Sequence, residues 1–220
     1  VGHVELIGTS FKDAKKIIKK EFDKFYVNYD LSLTMGKLKT IKVFILGEVT
    51  NPGAYDISSL STLFTALHAS GGPTKQGTLR NIELKRNNKT INTIDLYSYL
   101  LYGDNSNDPK LQNYDTIYVP PIGSVIKIYG SVKRPAIFEL KYNTSVYAAI
   151  HKLSAGFLGV SDLKNVKLSR ISNNDYYEMI DINSTLDSYT TVLKSTYLKN
   201  NDKIFISKIL DLEKNTVQIN

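Results

Sequence analysis

The sequence predicts an α+β protein built from two tandem copies of one small domain, each a mixed sheet gripping a helix, behind a partial α/β segment. Three observations carry that reading. Blocks of sequence recur in the same order, the blocks show strand or helix periodicity, and glycine and proline punctuate both copies at equivalent places. Val43-Phe-Ile-Leu-Gly47-Glu-Val49-Thr-Asn-Pro52-Gly-Ala-Tyr55 aligns with Ile126-Lys-Ile-Tyr-Gly130-Ser-Val132-Lys-Arg-Pro135-Ala-Ile-Phe138. Arg80-Asn-Ile-Glu-Leu-Lys-Arg86 aligns with Lys164-Asn-Val-Lys-Leu-Ser-Arg170, and Leu111-Gln-Asn-Tyr-Asp-Thr-Ile-Tyr-Val119 with Leu198-Lys-Asn-Asn-Asp-Lys-Ile-Phe-Ile206. The offset grows only from 83 to 87 residues. The expected divisions are residues 1–40, 41–122, 123–207 and a C-terminal extension 208–220.

In residues 1–40 a strand is expected over His3 to Ile7, then a helix from about Phe11 to Tyr26 capped by Thr9 or Ser10, then an extended passage through Leu31 to Leu33. Phe11, Ala14, Ile17, Ile18, Phe22 and Phe25 form one apolar face, and Lys12, Lys15, Lys16, Lys19 and Lys20 crowd the other. Such a helix can lie on an anionic membrane, but the flanking strands favour packing on a sheet of its own. No initiator Met precedes Val1 and the chain starts inside an apparent strand, so it reads as a fragment of a longer polypeptide.

In the first copy, Asn51-Pro52-Gly53-Ala54 predicts a type II turn, because Pro52 fixes φ at the first corner and Gly53 accepts positive φ at the second. The second copy has Ala136 after Pro135, so its turn must relax toward type I or carry strain. Leu60, Leu63, Phe64 and Leu67 predict a helix capped by Ser59 or Ser61 and stopped by Gly71-Gly72-Pro73. Its counterpart has Asn143 as cap, Val146, Ala149, Ile150 and Leu153 inward, and Gly156 near the end. Asn81 to Arg86 alternates like a half-buried strand, and Asn87-Asn88 turns the chain into Thr90 to Ile94. Asp95 caps a short helix through Leu101. Asp115 to Val119 closes the sheet, ended by Pro120-Pro121. A hairpin, a helix laid across it and further strands make a β-grasp arrangement. The linker at residues 120–124 is short and predicts little relative freedom between copies.

Composition bounds the function. With 42% hydrophobic and 22% charged residues in 220, the chain can build a core. Its apolar runs, such as Val43 to Leu46, are far too short to span a bilayer as a helix. The lack of cysteine excludes disulfides, thiol catalysis and thiolate metal sites. The formal charge of +7 invites a nucleic-acid reading, yet only Arg80, Arg86, Arg134 and Arg170 supply guanidinium, and the dispersed lysines read as solvated surface.

No catalytic, metal-ligating or cofactor-binding set emerges, so a non-enzymatic protein is expected. His3, His68 and His151 offer no group of three convergent ligands. Asp104, Asp108 and Asp115 sit in a loop where carboxylates favour turns. The candidate contact residues are at the hairpin tips and the repeated arginines: Asn51 beside Thr50, Tyr55, Lys133, Arg134, Arg86 and Arg170. The cations there could meet acidic sugars or a neighbouring subunit's carboxylates. Pro52, Gly53 and Pro135 are turn residues. Fifteen Tyr and no Trp offer modest ring contacts, compatible with a polymer that must keep moving.

The stretch Val43 to Tyr55, the helix ending Ala69-Ser-Gly-Gly72, the Asn81-Ile-Glu-Leu-Lys-Arg86 strand and the Asp115-Thr-Ile-Tyr-Val-Pro120 closure resemble an SLBB domain, the soluble-ligand-binding β-grasp module. A pair of such domains behind Gly8-Thr-Ser-Phe-Lys-Asp-Ala14 is similar to the periplasmic part of Wza-like outer-membrane polysaccharide export proteins. In the second copy Ala136 and Ser154-Ala155-Gly156 depart from the pattern. The resemblance implies a homo-oligomeric ring that passes capsular polysaccharide or exopolysaccharide from the periplasm across the outer membrane. It also implies work with an inner-membrane copolymerase and no nucleic-acid partner. That family usually spans the outer membrane with a C-terminal amphipathic helix, which Lys208 to Asn220 does not resemble. Two other readings stand beside it. A freestanding carbohydrate or soluble-ligand module predicts tight stoichiometric binding, and a nucleic-acid-binding protein predicts binding that collapses with salt.

Overall fold

The structure, a computed structural model, describes residues 3–6, 8–34, 36, 39–173, 175–183 and 189–209. It comprises two units, Val1–Lys39 and Thr40–Asn220. In the first unit, α1 (Phe11–Phe22) begins at Ser10, whose side chain accepts from the Asp13 amide. It ends at Phe22, four residues short of the expected end, with Asp23 as its C-cap, and Phe25 is 71% exposed. Ala14 is buried, Ile17 and Ile18 are half-buried, and the five lysines of the opposite face are exposed. Tyr29 folds back to donate to the Asp23 carboxylate at 2.6 Å, which raises the phenol pKa to about 12. The expected strand is absent from its described part, residues 3–6, and residues 31–33 have no regular structure; Ile7 lies outside the described residues. A sheet belonging to α1 is therefore not formed among the described residues of this unit. A lone extended segment without a partner leaves its amides to water.

The second unit repeats one topology. Its first half runs β1 (Thr40–Gly47), β2 (Gly53–Ser58), α2 (Leu63–Ala69), β3 (Ile82–Arg86), β4 (Lys89–Ile94), α3 (Leu96–Tyr102) and β5 (Thr116–Val119). Its second half runs β6 (Val125–Gly130), β7 (Ala136–Glu139), α4 (Val146–Ala148, continued by a π-helical turn Ala149–Leu153), β8 (Ser161–Ser172), β9 (Tyr176–Asn183), α5 (Tyr189–Ser195) and β10 (Lys203–Lys208). The sheets have matching orders, β2-β1-β5-β3-β4 and β7-β6-β10-β8-β9. In each, the central pair is parallel and its neighbours antiparallel. Each sheet covers its own core. Val43, Ile45, Leu63, Ile82, Leu84 and Ile117 fill the first, and Ile126, Ile128, Val146, Val166, Leu168 and Ile204 fill the equivalent places of the second. Burying each such side chain contributes about 1.5–3 kcal/mol.

The recurring Leu-x-Asn-x-Asp is a device for closing the sheet. The Asn113 and Asn200 side chains accept from the first inner amides of the sheet, those of Lys42 and Val125, at 2.9 and 2.8 Å. The next residue turns left-handed, at φ 67° for Tyr114 and 65° for Asn201. The carboxylates of Asp115 and Asp202, both fully buried, then accept from the amides of Gln112 and Lys199. Each also receives a two-pronged arginine from the neighbouring strand: Arg86 at 2.7 and 2.7 Å, Arg170 at 3.0 and 2.7 Å.

Several local expectations are corrected. Neither Gly53 nor Ala136 has positive φ; each opens a strand, opposite Ile45 and Ile128. The turn geometry that needs glycine lies upstream instead, at Gly47 (φ 88°) and Gly130 (φ 90°), so alanine at 136 carries no strain there. Thr62, rather than Ser59 or Ser61, caps α2, leaving Leu60 outside the helix and exposed. Ser145, rather than Asn143, caps α4, because Asn143 is itself left-handed at φ 56°. The Asn87-Asn88 turn forms as expected, with φ of 50° and 59°.

The growth in offset has a structural location. It is 83 from Thr62 to Ser145 and 84 from Ser70 to Ser154, and the extra residue is taken up by the π-helical turn, where the Ser154 amide reaches Ala149 O. The β8–β9 hairpin is also longer: twelve positions separate Ile82 from its partner Ile94, sixteen separate Val166 from Ile182. Strain in the second half falls on Ala155 (φ 61°), where the first has Gly71 (φ 82°). Ala155→Gly is expected to stabilise the protein by about 0.5–1 kcal/mol, the left-handed penalty of alanine less the added freedom of glycine in the unfolded chain. A urea titration in which the variant is less stable would contradict this.

Candidate functional site at the junction of the repeats

The positions that break the internal symmetry converge. Arg80 stands just before β3, Asp95 caps α3, Tyr97 lies in its first turn, and Glu139 ends β7. Glu139 is 2% exposed although its counterpart Asp56 is exposed on the surface. Its carboxylate accepts from Thr78 Oγ1 at 2.6 Å, the Leu79 amide at 2.8 Å and the linker Gly123 amide at 3.0 Å. Its amide donates to the Tyr97 hydroxyl at 2.7 Å. Arg80 donates from Nε to Glu139 O at 2.7 Å and from Nη1 to Asp95 at 3.0 Å, and lies 3.8 Å over the Tyr97 ring. Burial pushes the Tyr97 phenol pKa up. Leu79, Tyr97 and Leu101 of the first repeat pack on the core of the second. The short linker is thus locked from both sides, with the Ile122 amide donating to Gln76 O at 2.6 Å.

A cleft of about 310 Å³ opens beside this network between α3 and α4. Asp95 receives Lys141 Nζ at 2.7 Å as well as Arg80, and the Tyr102 hydroxyl donates to Lys152 O at 2.7 Å across the repeats. A second trough of about 430 Å³ shares Arg80, Asp95 and Lys141. Sequence reasoning missed this site. Arg80 aligns with Lys164 and Glu139 with Asp56, conservative pairs that conceal opposite environments.

The hairpin tips fold back onto the helix ends. The Thr50 and Asn51 amides donate to Gly72 O and Ser70 O, and Tyr55 donates to Asn51 O at 2.6 Å. In the second repeat the Lys133 and Arg134 amides donate to Gly156 O and Ser154 O, and Arg134 Nη1 reaches Leu153 O at 3.3 Å. The tips therefore satisfy carbonyls a helix end leaves open. The Asn51, Pro52, Lys133, Arg134 and Pro135 side chains stay exposed, with Tyr55 half-exposed. Arg86 and Arg170 lie apart from the tips, on their buried aspartates. His151 packs against Tyr147 at 4.2 Å, and its pKa is lowered by burial. Among the described residues no group of three or more acidic or histidine side chains could hold a metal, and no helix is long and apolar enough to cross a membrane.

A doubled mixed sheet, each half holding its own helix, defines a tandem β-grasp protein. Family comparison gives the same answer: SLBB domain models match residues 41–119 and 125–178, and the chain belongs to the SLBB-domain family, with two copies in tandem. Two curated relatives, both described as polysialic acid transport protein KpsD of Escherichia coli, are each 27% identical to it over 143 residues. The matched segment covers 64% of this chain and 25% of each relative, so the chain spans about a quarter of their length. The resemblance to Wza-like polysaccharide export proteins is thereby borne out.

Proposed function

We propose that the protein is a non-enzymatic component of a polysaccharide export conduit, acting in the periplasm as part of an outer-membrane ring of identical subunits fed by an inner-membrane copolymerase. Residues 1–40 belong to a leading export domain, 41–122 and 123–207 are the two SLBB domains, and 208–220 is an extension of which 210–220 lie outside the described residues. The observation that carries this reading is the locked junction. A wall around a moving polymer must hold its shape, and the Arg80–Glu139–Tyr97 network fixes the orientation of two domains that the short linker only keeps close. The tandem and its likeness to a polysialic acid transport protein support polysaccharide as the cargo. Contact with polymer or a neighbouring subunit falls to the exposed tips at Asn51, Tyr55, Lys133 and Arg134, while Arg86 and Arg170 serve the fold.

Arg80→Met tests the role of the junction. Removing the guanidinium strands a buried carbonyl and part of a carboxylate, at a cost of about 3–5 kcal/mol. It is expected to split unfolding into two transitions and to lower polymer secretion in the producing cell. Deleting the gene should abolish secretion and leave polymer inside the cell; normal secretion by the deletion strain would overturn the export reading.

A further inference from the structure

We propose that the cleft between α3 and α4 is a binding site for a carboxylate-bearing sugar unit, a reading that rests on the export function and specifies where the cargo touches the wall. Its volume of about 310 Å³ is at the lower end of the 300–1,000 Å³ typical of ligand clefts. The charge balance of the cleft favours an anion. Arg80, Lys141 and Lys152 line the cleft and Asp95 is the one acid among its lining residues, while the adjoining trough adds no further charged residue. Glu139 does not offset this excess, because its carboxylate is buried against Thr78, Leu79 and Gly123. The free donors of the cleft favour an anion as well. The Lys152 ammonium, Ser98 hydroxyl and Asn143 amide border the cleft and have no protein partner among the described residues.

The type of cation selects the anion. The one arginine present is committed to Glu139 O and Asp95, so no guanidinium fork is free for a phosphate. Two lysines remain as flexible point charges suited to a carboxylate that arrives and leaves: Lys152, unpaired among the described residues, and Lys141, which already holds Asp95 at 2.7 Å and shares that acid with Arg80. Tyr102 supplies a ring edge and Leu101 and Leu153 an apolar surface for a pyranose face. The walls are preorganised, since the buried network and the Tyr102–Lys152 hydrogen bond fix α3 against α4.

The test is an amide-shift titration of the isotope-labelled 220-residue protein with a hexamer of galacturonic acid, beside its neutral methyl ester and inorganic phosphate. Saturable shifts are expected at Ser98, Asn143 and Thr144. Lys141→Gln with Lys152→Gln, both exposed positions, should weaken binding about 10-fold or more, as should esterification of the ligand. Equal binding of ester and acid, an unchanged affinity in the double variant, competition by equimolar phosphate, or no shift at the cleft would each overturn the assignment. If the cleft fails while gene deletion still blocks secretion, only the site is wrong. If the hexamer binds there but the deletion strain secretes normally, the export reading falls and a ligand-binding module remains.

Discussion

Gly130→Ala, or Gly47→Ala in the first repeat, is expected to lower stability by roughly 3–5 kcal/mol, a large part of what holds a domain of this size together. Both glycines have φ near 90°, where a side chain is already unfavourable. A Cβ at Gly130 would also drive into the backbone oxygen of Ile206, and one at Gly47 into that of Val119. Those oxygens cannot swing aside, because they accept from the amides of Ser131 and Glu48. The control is Gly53→Ala, expected within about 0.5 kcal/mol of the parent. Gly53 lacks positive φ, a Cβ there meets nothing within 4 Å, and the second repeat already has alanine at the equivalent position. Denaturant titrations giving Gly53→Ala and Gly130→Ala the same loss would refute this account of the turn.

Asp202→Ala is the other change of comparable size, at about 3–5 kcal/mol. The carboxylate is fully buried and accepts from Arg170 Nε and Nη2 and from the Lys199 amide. Its loss leaves a guanidinium with 16% side-chain exposure facing an empty space, and among the described residues that cation keeps a hydrogen bond to Tyr197 O and the nearby Glu178 charge. Asp202 also raises the Arg170 pKa through this bond, which favours the charged guanidinium. The double variant Asp202→Ala with Arg170→Met should be less destabilised than the two single losses added together, because the stranded charge is gone. Strict additivity in a urea-measured cycle would show that the two groups do not stabilise one another.

The fold was legible because both copies state it. Blocks that repeat in order fix which strands pair, and alternating Ile82 and Leu84 or Val166 and Leu168 fix which face is buried. The turn was misread because Pro52-Gly53 is a strong local signal, while the residue that must be glycine is chosen by a distant carbonyl on β5. The caps moved by one to three positions because serine and threonine crowd that stretch and only tertiary placement selects among them. Among its described residues the leading segment lacks the expected sheet for a related reason: an apolar run predicts a strand only when a partner exists. Legibility ended at the junction. Arg80 and Glu139 have surface-type side chains, and nothing local tells that the fold buries them against each other's repeat.

The π-helical turn at Ala149–Leu153 has an evolutionary corollary. An insertion inside a ribbon would invert which residues face inward from that point on. Lodged where a coil can widen, the same insertion is absorbed before the chain reaches Ser154, and everything downstream keeps its orientation. Sister genes should therefore tolerate length changes at this helix end and at the β8–β9 tip, and resist them between Val125 and Gly130.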